Sequence, residues 1–425
     1  MQRMFGTLLG KTLQSILSFR TGGGQALPGL VVEKLFPNYL ASMISQLPEG
    51  VVLITGTNGK TTTTKMVVEL LQAAGKQVVT NKTGSNLTRG LIASLAQQAQ
   101  MNGKLRQDIG VFEIDEAFAV QFVKIIKPQW VLALNVSRDQ LDRFGEVDAV
   151  ARLLQTVMEA AEIGVVTNAN DPRLSPIART LKVPTAYFGV APALRRFFPT
   201  DNELVAVGTG DTPLPPEHPR HPDVELTKFA DNSATYTIDD KQYKTSLQLT
   251  GQHNFQNAAA ALALVHQLVP ERPIGQLTED LQAVQIAFGR GEVYRLSTGD
   301  VQLVLVKNPP SFRQALASYP IGERMSMVVI NDNYADSRDV SWLWDVDFTV
   351  LEGQTINFTS GSRAADMALR LQYGEASVGK VEPDIDKALG MLTRQSGDKL
   401  ILATYTAMLK LHDRLTRLQQ EANRG

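Results

Sequence analysis

The sequence predicts an α/β protein: a central phosphate-loop domain built on a parallel sheet, followed by a C-terminal Rossmann-like α/β domain. Three observations carry this. The apolar run 51–55 leads directly into Gly56-Thr57-Asn58-Gly59-Lys60-Thr61-Thr62-Thr63, a glycine-containing turn that opens a helix. Short β-rich runs alternate with longer helical stretches from 50 to 190, the rhythm of parallel strands with crossover helices. The same alternation restarts after residue 290.

The 425 residues exceed one ordinary core, so two or three domains are expected. Residues 1–48 read as a helical segment packed on the next domain. Its stretch 8–19 is amphipathic, which leaves membrane-surface docking as a second use. The central domain spans 49–290. Its strands are expected at 51–55, 77–80, 109–113, 130–134 and 164–167, with helices at 91–100 and 147–162. Residues 191–223 hold seven of the 20 prolines and read as an exposed insertion. A hairpin follows at 233–238 and 243–249 around Asp239-Asp240, then a helix from Asn254 to Leu268. Residues 287–292 read as a hinge. The C-terminal domain, 291–425, has strands expected at 301–306, 325–330, 355–358 and 400–403, and helices at 364–373 and 384–394.

Lys and Arg number 42 against 43 Asp and Glu, a balance that points away from nucleic acid. No apolar run is long enough to span a bilayer, and the N-terminus lacks a signal-peptide pattern, so a cytoplasmic protein is expected. There is no cysteine, which excludes disulfides, thiolate zinc ligands and a cysteine nucleophile.

Phosphates need several donors converging on one point, and a strand–turn–helix junction supplies them from backbone N–H groups and the helix end. Gly56, Thr57, Asn58, Gly59, Lys60, Thr61 and Thr62 are therefore the candidate nucleotide-binding residues. Lys60 would reach the outer phosphates and the Thr61 hydroxyl would hold Mg²⁺. Glu113 and Asp115 end an apolar strand, where a carboxylate reaches a metal beside the phosphates; a solvated strand end is the bland alternative. Further polar strand ends stand at 135–145 and 168–172. Asn254 and Asn257 open a helix, where they either hydrogen-bond an adenine edge or act as caps. Residues 83–89 are equally open between a phosphate contact and a cap. The phosphate loop alone does not separate an ATPase, a switch and a ligase. A GTPase would need Asn-Lys-x-Asp after a strand; Asn81-Lys82-Thr83-Gly84 lacks the Asp, and 168–171 lacks the Lys.

Order and spacing together resemble the Mur ligase superfamily over nearly the whole chain: GTNGKT at 56–61, the strand-end Glu113, the HNxxN pattern at His253, Asn254 and Asn257, and GRxE at Gly289, Arg290 and Glu292. The resemblance implies ATP-dependent ligation through an acyl phosphate, with Lys60, Thr61, Glu113 and Mg²⁺ at the phosphates, Asn254 and Asn257 at the adenine, and Arg290 at the domain junction. Amino-acid-adding members place a metal-binding His where this chain has Gln140. Segments 307–309, 331–345, 361–368 and 404–409 are closely similar to the MurT family, the Mur-ligase-like subunits of lipid II isoglutaminyl synthase. That similarity implies amidation of the D-glutamate α-carboxylate in the peptidoglycan stem peptide. Nitrogen then comes from glutamine through a GatD-like glutamine amidotransferase partner, with lipid II at the membrane surface as substrate. It also implies that an acidic residue of 336–339 enters the partner's glutaminase site to orient its catalytic His. Asp339 is the first choice and Asp336 the second; either alternatively caps a turn. Many members carry a four-cysteine zinc ribbon where this chain has 191–223. His218 and His221 alone do not make a tetrahedral site, so no zinc is expected. A ligase adding a whole amino acid, as folylpolyglutamate synthetases do, is the competing reading.

Overall fold

The structure, a computed structural model, describes residues 2–21, 26–81, 88–137, 147–200, 221–248, 251–284 and 290–422. Gln140, Gly289, His218 and most of the proline-rich insertion lie outside the described residues, as do 83–87. The described residues fall into two compact units, divided close to residue 285.

The first unit begins with three helices, α1 (Gln2–Thr21), α2 (Ala26–Leu35) and α3 (Tyr39–Ile44). The sheet then starts with β1 (Val51–Thr55), followed by α4 (Lys60–Ala73), β2 (Val78–Thr80), α5 (Thr88–Gln98), β3 (Ile109–Glu113), α6 (Glu116–Ile125) and β4 (Trp130–Ala133). After them come α7 (Val147–Met158), β5 (Gly164–Asn168), α8 (Leu174–Arg179) and β6 (Thr185–Val190). Three further strands, β7 (Val224–Ala230), β8 (Ser233–Ile238) and β9 (Lys241–Ser246), precede α9 (His253–Leu268) and α10 (Ile274–Asp280).

The strand order is β2-β3-β1-β4-β5-β6-β7-β8-β9, parallel through β7 and antiparallel beyond. Every residue of β1, β3, β4 and β5 is buried, which is why these strands read as unbroken apolar runs rather than alternating ones. The β8–β9 hairpin turns on Asp239 (φ 49°) and Asp240 (φ 60°), the left-handed pair a two-residue turn demands. Helix α9 carries Ala258–Ala261 and Ala263 inside the core, and these small side chains let it lie close to its neighbours.

Topology places the site. The chain leaves β1 for β2 on one side and leaves β3 for β4 on the other. Right-handed crossovers then run over opposite faces and open a crevice at the carboxyl ends of β1 and β3.

The second unit pairs β10 (Arg290–Leu296) antiparallel with β11 (Gly299–Leu305). A parallel sheet continues with β12 (Met325–Val329), β13 (Thr355–Ser360), β14 (Ser377–Val381) and β15 (Lys399–Ala403), in the order β10-β11-β15-β12-β13-β14. Its helices are α11 (Pro309–Ser318), α12 (Ala364–Tyr373), α13 (Ile385–Thr393) and α14 (Tyr405–Ala422). Two apolar clusters cover the sheet: one holds Phe312, Met367 and Leu371, the other Leu389, Met408 and Leu411.

Candidate active site

The loop between β1 and α4 turns on Gly56 (φ 125°) and Gly59 (φ 86°), backbone angles that other residues adopt only under strain. Asn135, just beyond β4, locks its shape. The Asn58 N–H donates to Asn135 Oδ1 at 2.9 Å, and Asn135 Nδ2 donates back to the Asn58 carbonyl at 3.0 Å. The Thr57 N–H donates to the Asn135 carbonyl at 3.0 Å, and Ser137 N–H donates to the Thr57 hydroxyl at 3.0 Å. Asp171 fixes this strand end in turn. Its carboxylate accepts from the N–H groups of Val136 (2.8 Å), Arg173 (2.9 Å) and Leu174 (3.0 Å). Burial raises its pKa above the ordinary carboxylate value even against those donors.

Lys60 opens α4, and Thr62 is buried in the first turn beside it. The Lys60 ammonium is buried over the loop, donating to the Gly56 carbonyl at 2.5 Å and lying 3.4 Å from Glu116. The Thr61 hydroxyl donates to Glu113 Oε1 at 2.9 Å. Glu113 itself is held by its main chain: Asn81 donates to its carbonyl at 2.8 Å, and its N–H donates to Asn81 Oδ1 at 3.0 Å. Asp115 is spent as the N-cap of α6, accepting from Ala117 N–H. The crevice thus gathers an ammonium, a helix N-terminus, a hydroxyl and two carboxylates, Glu113 and Glu116. A hydroxyl and a carboxylate in direct contact are hard oxygen donors of the kind Mg²⁺ takes when phosphate oxygens and water complete its shell. Among the described residues no three His, Asp or Glu side chains converge, so an all-protein metal cage is not built here.

Asn254 and Asn257 are buried in the first turn of α9, and Asn257 Nδ2 donates to Asn254 Oδ1 at 3.2 Å. Asn257 also presses on the phosphate loop: a Cβ at Gly59 would lie 2.4 Å from Asn257 Oδ1. The loop glycine and the helix start are therefore one packed unit.

In the second unit, Arg290 begins β10, while its side chain lies outside the described residues. Asp336 is buried, and its carboxylate accepts from both the backbone N–H (2.8 Å) and the hydroxyl of Thr406 at the start of α14. Asp339 is half-buried and accepts from Ser341 N–H at 2.8 Å. The two tryptophans that follow divide. Trp342 packs near Phe312 against the core, whereas Trp344 is exposed and meets Tyr373 edge-on at 5.3 Å.

Glu116, Asn81 and Asp171 take part in the site without having been singled out as its residues in the sequence. The available signal was positional, since each stands within a few residues of the carboxyl end of a buried strand.

Comparison with known proteins follows the same division. The Mur ligase middle domain family matches residues 54–265, and the MurT ligase C-terminal family matches 305–408. The lipid II isoglutaminyl synthase (glutamine-hydrolyzing) subunit MurT of Streptococcus pneumoniae is 31% identical over 97% of each chain. The protein of the same name from Staphylococcus aureus is 28% identical over 93% of each chain. Among solved structures, the MurF ligase of Thermotoga maritima in complex with ADP superposes with a TM-score of 0.68 at 17% identity, covering 92% of this chain and 84% of the other.

Proposed function

The chain belongs to the MurT family of Mur-type ligases, and from that premise we propose that it is the ATP-using subunit of an amidating ligase. Its reaction converts the D-glutamate α-carboxylate of the lipid II stem peptide to D-isoglutamine. The observation that carries the reading is the Thr61–Glu113 contact beside Lys60 at the mouth of a preorganised phosphate loop. The substrate carboxylate oxygen attacks the γ-phosphorus of ATP, and ADP leaves. Ammonia then attacks the acyl carbon, and phosphate leaves with its bridging oxygen. The first-turn N–H groups of α4 point out of the helix end toward the phosphates. Lys60 neutralises charge on the transferring phosphoryl, which is the main task of a protein in such a transfer. Mg²⁺, held by Thr61 and Glu113, would add Lewis-acid charge there. Asn254 and Asn257 contact the adenine and, through Gly59, align the loop with it.

The chain contains no cysteine, so it cannot supply the thiolate nucleophile of a cysteine glutaminase. Ammonia comes from a GatD-like partner. Asp339 is the residue proposed to enter that partner's site, because Asp336 is already engaged by Thr406. A lipid-linked substrate puts the reaction at the inner face of the membrane. Zinc plays no part, and elemental analysis of the purified chain should find none at stoichiometric level.

The test is reconstitution. The full chain alone should amidate the substrate slowly with ammonium and not at all with glutamine, and glutamine should become a nitrogen source once the partner is added. Glutamine-dependent amidation by the chain alone, or product carrying an added amino acid, would overturn the reading.

A further inference from the structure

Helix α1 leaves apolar side chains in solvent that an ordinary surface helix would hide. Its fully buried positions are small or polar, Gly6, Thr7 and Gly10, with Leu9, Leu13 and Leu17 half-buried. A Cβ at Gly6 would lie 2.6 Å from the Tyr39 ring, and one at Gly10 would lie 2.8 Å from Ala96. Between them, the buried Thr7 hydroxyl shares a 2.7 Å hydrogen bond with Tyr39. The outward stripe is Phe5, Leu8, Thr12 and Ile16, spaced three and four apart, with Met4 and Ser15 beside it. Phe5 and Ile16 are each 51% exposed and Met4 is 36% exposed. The two hydroxyls of the stripe are turned back on the helix: Thr12 donates to the Leu8 carbonyl at 2.9 Å and Ser15 to the Lys11 carbonyl at 3.0 Å. That arrangement removes their need for water.

Charge completes the pattern. Helix α1 carries Arg3, Lys11 and Arg20 and no acidic residue. Residues 1–48 hold four basic side chains against one acidic, in a chain of net charge −1. Arg3 is exposed at the start of the helix, two residues before Phe5, while the Lys11 ammonium donates to the Gln97 carbonyl at 2.6 Å. Apolar and aromatic side chains along a helix whose only charges are basic suit an anionic lipid surface. Among the described residues no helix is long and apolar enough to cross a membrane, so α1 would lie in the interface rather than span it.

We propose that α1 seats this protein on an anionic bilayer through Met4, Phe5, Leu8 and Ile16. The inference deepens the reading of a lipid-linked substrate and rests on it for why a bilayer is the surface met.

The experiment is vesicle flotation of the full chain, with neutral phosphatidylcholine vesicles and with vesicles that also contain phosphatidylglycerol. The wild type should float with the anionic vesicles, and added salt should weaken the association. Phe5→Asp/Ile16→Asp should lower the partition coefficient at least about tenfold. Its melting temperature should stay close to wild type because both side chains are half exposed, and its amidation of a soluble stem-peptide precursor should be unchanged. Arg3→Glu should weaken binding only to anionic vesicles. Wild-type protein that stays unbound on both vesicle types would overturn the proposal, as would a double variant that floats like wild type. A double variant that changes oligomeric state or loses the glutaminase partner would assign the stripe to a protein contact instead. Amidation of the soluble precursor tests the function separately, so the two readings fail independently.

Discussion

Replacing Glu113 with Gln removes a charge and almost no volume, which makes it the sharpest probe of the site. The Gln carbonyl oxygen can still accept from the Thr61 hydroxyl, 2.9 Å away in the native site. The two bonds to Asn81 use the Glu113 main chain and persist. The fold should therefore lose at most about 1 kcal/mol, the weight of one weakened hydrogen bond. In a domain of this size that moves the melting temperature by no more than about 4 °C. Catalysis should suffer far more. A carboxylate ligand to Mg²⁺ acts on charge that develops in the transition state, and losing it should cost about 3 kcal/mol or more, roughly a hundredfold or greater in kcat. ADP release with ammonium as nitrogen source, followed across a Mg²⁺ titration, reads the second effect; differential scanning fluorimetry reads the first. Chelation of Mg²⁺ should abolish turnover in the wild type. A variant that melts early in proportion to its lost activity would make Glu113 a structural strand end, and unchanged kcat would remove it from the chemistry.

Lys60→Ala should abolish ATP-dependent amidation and also lower stability, because it takes away the ion-pair partner of buried Glu116. Adding Glu116→Gln should restore the melting temperature without restoring turnover; recovery of activity in the double variant would refute the phosphate role of Lys60. Gly59→Ala should weaken nucleotide binding at least about tenfold, since it combines left-handed strain with a clash against Asn257; isothermal titration with ADP checks this, and native affinity would dismiss the coupling of loop to α9. Asp339→Asn should remove glutamine-dependent amidation while sparing the ammonium reaction. Asp336→Asn should instead lower the melting temperature, because it weakens the acceptor at the start of α14. The reverse assignment would follow if the two phenotypes were exchanged.

What could be read in advance follows from burial. Strands β1, β3, β4 and β5 are covered on both faces, so their apolar runs stood out to within a residue of their observed ends. Strand β14 is exposed along most of its length at the sheet edge and carries no such signal. Helix α11 begins with two prolines behind an Asn308 cap and is not among the helices expected from the sequence, although proline suits the first helical turn. Helix α14 is polar on much of its surface and buries only Ala407, Met408, Leu411 and Leu415.

The site divides along a similar line. The phosphate loop was legible because its demands are local: two glycines for left-handed backbone, a lysine and a hydroxyl at a helix start. The partners that hold it are not local. Asn135 grips Asn58 across 77 residues, Glu116 meets Lys60 across 56, and Asn81 braces Glu113 across 32. No spacing rule marks such pairs; strand order alone brings them together. The two aspartates of the second unit show the consequence most clearly. In the sequence Asp336 and Asp339 are interchangeable acidic residues in one polar segment. Thr406, 70 residues on, separates them by donating its N–H and hydroxyl to Asp336 at the first turn of α14, where a carboxylate suits the helix dipole. A carboxylate committed to holding a helix in its own fold is poorly placed to orient another protein's imidazole. The Asp339 carboxylate, half-buried and accepting from Ser341 N–H within its own turn, keeps the freedom that the proposed role would require.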